Sequence, residues 1–131
     1  MLTCFALVAT LGAAGMADIP RLATEIETEA RALASTTELT PALTAQIEDF
    51  SNDAARFSNL LYLAGADQDV SCIFHDIAKE ARDHAGAFAV ATTPAARADA
   101  FFALRPVLDD AALMAPVAAM AAQESRALAS R

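Results

Sequence analysis

The sequence predicts an all-α protein, an up-down antiparallel four-helix bundle whose C-terminal helix is kinked or split by proline. Three observations carry that expectation. Alanine, the best helix former, supplies about a quarter of the 131 residues, while glycine and proline number only 4 and 5. Apolar residues recur at spacings of three and four in successive segments, with no strand-like alternation. The breaks between these segments are a few residues long, which favours antiparallel neighbours. A chain of this length makes one domain and can bury roughly two-thirds of its unfolded surface.

The first segment, Met1 to Ala17, stands apart because it carries no charged residue, and every charge in the chain lies from Asp18 onward. Leu2 to Thr10 and Leu11 form an apolar run of signal-peptide length, and Gly15-Met16-Ala17 supplies a small-x-small cleavage pattern. No Lys or Arg precedes the run. Residues 1–17 therefore read as a signal peptide, cleaved to leave Asp18 at the N-terminus. The alternatives are an N-terminal core helix, Leu2 to Ala14, of a cytoplasmic regulatory bundle, and a membrane anchor, for which seventeen residues are at the short limit.

Behind it, Ile19, Leu22, Ile26, Ala30 and Leu33 make one helical stripe, with Glu25, Glu27, Glu29 and Arg31 away from its centre. Thr40-Pro41 is a helix-start signal, a hydroxyl cap followed by proline at the first helical position. Leu43, Ile47, Phe50, Ala54, Phe57, Leu61 and Ala64 then alternate at four and three, a heptad seam that Gly65 ends. Asp67 or Asp69 caps the next helix, with the seam Val70, Phe74, Ile77, Ala81, His84 and Phe88. Thr93-Pro94 opens the last, whose stripe runs Phe101, Leu104, Leu108 and Ala111. Pro106 and Pro116 each remove a helical hydrogen bond, so this segment should bend or divide, with Val117 to Leu128 as its final piece.

Composition excludes several functions. A net charge of −8 with a single lysine is unsuited to nucleic acid, whose phosphates call for clustered Lys and Arg. Two cysteines, Cys4 and Cys72, cannot make a disulfide scaffold or a four-cysteine metal site. Covalent haem needs Cys-x-x-Cys-His, and Cys72-Ile-Phe-His75 lacks the second cysteine and the adjacent histidine. Di-iron bundles need Glu-x-x-His pairs, of which there are none. Met114 and Met120 fall on different faces and read as core fillers rather than copper ligands. No cofactor and no catalytic residue is indicated.

One constellation is suggestive: Ser71, Cys72, His75 and Asp76, with Lys79, Glu80, Asp83 and His84 behind them. At about 100° per residue, Cys72, His75 and Lys79 lie about 140–180° from Val70, on a solvent stripe opposite the seam. Cys72 and His75 are one turn apart and can share an ion, with Asp76 as a third donor. Cys72 is also the reactive thiol, since a helix N-terminus and a protonated His75 both favour its thiolate. His75 and His84 point to opposite sides and cannot chelate together. The acidic runs around Glu25–Glu29 and Glu48-Asp49 read as solvated faces.

The function these features point to is an exported, periplasmic or secreted bundle that binds a protein or a small molecule and is not an enzyme. After cleavage it has no membrane segment, and Cys72 can link two copies as a homodimer. The alternative is a metal-binding or thiol-redox module centred on Cys72 and His75.

Overall fold

The structure is a computed structural model that describes Gly15 and residues 17–131. Four helices follow one another: α1 (Ile19–Ala34), α2 (Leu43–Leu63), α3 (Gln68–Val90) and α4 (Pro94–Ala129). No strand occurs among the described residues. Helices adjacent in sequence pack against each other, and α1 closes the ring on α4. The diagonal pair α2 and α4 barely touch, and α1 does not reach α3. This is the up-down-up-down four-helix bundle expected from the short connections. The expectations for residues 1–14 and for Met16, leader or first core helix, lie outside the described residues.

Every seam position expected on α1 and α2 is buried, from Ile19 to Leu33 and from Leu43 to Ala64. On α3, Phe74, Ile77, Ala81 and Phe88 are buried, with Val70 and His84 half-buried at the margins. Phe57 of α2 meets Phe74 of α3 edge to face, ring centroids 4.7 Å apart and planes at 85°, the arrangement the ring quadrupoles prefer. To the same core α4 contributes Leu104 and Leu108, then alanines at 111, 115, 118 and 122 that let its C-terminal half approach closely.

Two serines fix how α2 lies on α3. Ser51 Oγ donates to the Ala78 carbonyl at 2.7 Å, and Ser58 Oγ donates to the Ser71 carbonyl at 2.6 Å. Donors and acceptors are each seven residues apart, two turns, so both bonds form in one antiparallel register. All three serines are fully buried. Ser71, expected among the polar cluster, therefore belongs to the core.

The helix ends are largely those the sequence announces. Asp67 caps α3 by accepting from the Asp69 N–H at 2.9 Å, and Thr93 caps α4 by accepting from the Ala96 N–H at 3.1 Å. Gly65, at φ +78°, closes α2 in a Schellman turn, with the Ala66 N–H bonded to the Leu61 carbonyl and the Gly65 N–H to that of Tyr62. The expected start at Thr40-Pro41 is displaced. A tight turn comes first, in which the Thr40 and Pro41 carbonyls accept from the Leu43 and Thr44 N–H groups, so the threonine hydroxyl caps nothing.

Of the two outcomes expected at Pro106 and Pro116, division does not occur: α4 runs unbroken for 36 residues. Both proline rings are exposed, while Leu104, Val107, Leu108, Ala115 and Ala118 on either side stay in one core. The missing bonds would have gone to the Phe102 and Ala112 carbonyls. Packing along the opposite face offsets their loss.

Candidate interaction surface

The polar constellation on α3 is dispersed. Its Ser71 is in the core, Cys72 is half-buried, and His75 and Asp76 are exposed. Cys72 carries a free thiol. Side chains lean towards the N-terminus of their helix, which directs a first-turn residue back towards the preceding connection rather than straight out. Lys79 pairs with Asp83 at 3.3 Å on the open face, where both are mostly solvated. His84 lies half-buried at the seam margin, away from His75. Among the described residues no three His, Cys, Asp or Glu side chains come together to hold a metal ion.

The acidic residues do not all sit on solvated faces. Arg21 bridges Asp18 and Glu25, and Arg56 reaches Asp18 from α2, so the start of α1 is balanced. Arg31 takes Glu27 at 2.9 Å. Glu29, between those pairs, faces Asp53 and Asp49 of α2 and has no basic partner among the described residues. Its Oε2 is buried and accepts no hydrogen bond. Burial first, then the Asp53 charge, pushes the Glu29 carboxyl up to about 7. As a neutral acid it can donate to the Asp53 carboxylate. Near neutral pH the Glu29 carboxyl is therefore only partly ionised.

Open clefts flank α4. One of about 580 Å³ lies between α1 and α4 over Ala30, Ala34 and Ala112, with Arg31, Arg105 and Leu113 among its lining. Another of about 660 Å³ lies where the Gly65 turn meets Gln123 and Arg126. Small side chains on both helices leave these hollows.

The outer face of α4 is the least expected surface. Phe102 is 73% exposed, Leu113 68%, Met120 61% and Leu128 67%, with Val117 about half exposed. With Ala111 of the core at zero, Phe102 and Met120 fall at about 180°, Leu113 at about 200°, Val117 at about 240° and Leu128 at about 260°. They make one stripe about 39 Å long on the side of α4 away from its core. Met120, read as a core filler, is part of it, whereas Met114 does pack on the core. Among the other described residues only Tyr62 on α2, and Ile73 and Val90 towards the two ends of α3, are large apolar residues in the open. The stripe could be foreseen only by noticing that α4 carries apolar residues at two phases of the helical period.

Comparison of the chain with protein-family models, with curated proteins and with solved structures returns no match.

Proposed function

We propose that this chain is a small exported protein, periplasmic or secreted, whose helical bundle works by binding rather than by catalysis. The observation that carries the binding reading is the apolar stripe on the outer face of α4. Five large apolar side chains in one row keep water in contact with hydrocarbon, a cost that a partner removes. The α1–α4 cleft runs into the stripe at Leu113, so a partner on α4 also reaches a hollow lined by Arg31, Arg105 and Asp109.

Export rests on the uncharged Met1–Ala17 segment and its small-x-small end. Cleavage after Ala17 takes away none of the described core, which starts at Ile19. Among the described residues no helix is long and apolar enough to cross a membrane.

Mass spectrometry under native and denaturing conditions, on protein recovered from its own host, tests both halves. The expected denatured mass is that of residues 18–131, and the expected native mass is larger than one chain. A lone chain under native conditions removes the binding reading, and an intact Met1 removes export.

A further inference from the structure

We propose that the partner of the α4 stripe is a second copy of this chain, docked antiparallel through the same face about a two-fold axis near Ala115. This rests on the reading of that stripe as a binding surface. The stripe is about 39 Å long and straight along one helix, so its complement is another long helix with an open apolar face. Within the described chain only α4 has one. A two-fold contact uses one surface twice, so it must be complementary to itself when reversed.

The α4 face meets that condition. With the axis at Ala115, residues whose numbers add to 230 lie opposite one another. Phe102 then faces Leu128 of the other copy, and Leu113 faces Val117, which matches the exposed apolar groups at the centre and at both ends. Charges follow the same order. Arg105 falls within a residue of Glu124 of the other copy, and Asp99 falls opposite Arg131. All four are exposed, and none has an ion-pair partner within the described chain. Symmetry repeats each pair, giving four unlike contacts around the apolar centre. A parallel arrangement instead sets Arg105 on Arg105 and Glu124 on Glu124, like against like. The same register sets Asp110, in phase with Leu128, opposite Met120 and sets Asp109 opposite Ala121, so the apolar matching is confined to the centre and the two ends.

Sedimentation equilibrium of the full chain in reducing buffer, at up to about 100 µM, tests the assignment. The wild type is expected to be a dimer that persists on reduction, and Leu113→Lys, beside the axis, is expected to make it a monomer with unchanged helical circular dichroism. Arg105→Glu and Glu124→Arg should each weaken the dimer about tenfold, because each breaks two symmetric pairs, and the double swap should restore it to within about threefold. A monomeric wild type overturns the proposal, as does a dimer indifferent to Leu113→Lys, a dimer dissolved by reduction and so held by Cys72, or a double swap that fails to rescue. A wild type that is monomeric alone, yet recovered from its host in a complex with an unlike chain that Leu113→Lys abolishes, overturns the self-pairing and leaves the binding surface standing. No complex of either kind removes both.

Discussion

Glu29 shows how one side chain ties this fold to pH. Its carboxyl stands at about 7 against an ordinary 4.5, because burial and the Asp53 charge both oppose ionisation. Between those two values the folded chain holds a proton that the unfolded chain releases. Stability is therefore fully present below about pH 4.5 and is lost as pH rises towards 7. Groups facing Glu29 are Asp49 and Asp53 from α2 and Glu25 from α1, all acidic, so no opposing titration hides the effect. In a fully buried group the gap would amount to about 3 kcal/mol, and solvent at this cluster reduces it to about 1–2 kcal/mol. Glu29→Gln keeps the shape and a donor towards Asp53 without the charge. Denaturant melts should show the variant equal to wild type near pH 4.5 and more stable by about 1–2 kcal/mol at pH 8. A difference that does not change with pH would sink this account. Phe57 supplies the contrast. Fully buried against Phe74, it should cost about 3–5 kcal/mol on Phe57→Ala, while exposed Glu48→Ala should cost less than about 0.5 kcal/mol.

At the scale of elements, α4 pays for its continuity with two prolines. Both are exposed and neither packs in the core, so Pro106→Ala and Pro116→Ala restore a backbone bond without leaving a cavity. Each should stabilise the chain by about 1–3 kcal/mol in thermal or denaturant melts. A loss of stability would mean the rings hold a bend that the bundle requires. The four helices and their inward faces were legible because one apolar phase dominates α1, α2 and α3. Where a different phase or chemistry enters, legibility fails. Ser51, Ser58 and Ser71 occupy buried positions that an apolar pattern passes over, since the Ser51 and Ser58 hydroxyls are satisfied by carbonyls of α3 and the Ser71 hydroxyl by the Gln68 carbonyl of its own helix. Thr40 and Thr93 both precede proline, yet only Thr93 caps, because the turn at Thr40 satisfies the same N–H groups with backbone. Met120 and its row share a helix with alanines that fill the core, so two faces of α4 compete in the periodicity. The Glu29 cluster depends on how α1 lies over α2, which no single helix encodes. Cys72, His75 and Asp76 were placed on one helix correctly, but whether other helices add donors is a matter of tertiary packing.

For the whole molecule, the described core starts at Ile19, and with the export reading this predicts that residues 18–131 fold alone. A protein beginning at Asp18 is expected to show full helical circular dichroism and a cooperative thermal transition. A molten or insoluble product would make the preceding residues part of the bundle and would remove the case for cleavage. The net charge of −8 acts at the same scale. It keeps copies apart at long range, a repulsion that salt screens together with any exposed ion pairs across α4.

The matched serine bonds between α2 and α3 also order the molecule in time. These two helices are joined by only four residues, Ala64 to Asp67, and share the most extensive packing in the bundle. Closing so short a loop costs little chain entropy, so this hairpin is the natural first unit to form and the last to open. Helix α1 packs mainly on α4 and meets α2 more sparsely, across the acidic seam. Amide hydrogen exchange should then find the slowest protons around Ser51–Ser58 and Ser71–Ala78, and α1 exchanging sooner as pH rises past about 7, beyond the intrinsic acceleration that all amides share.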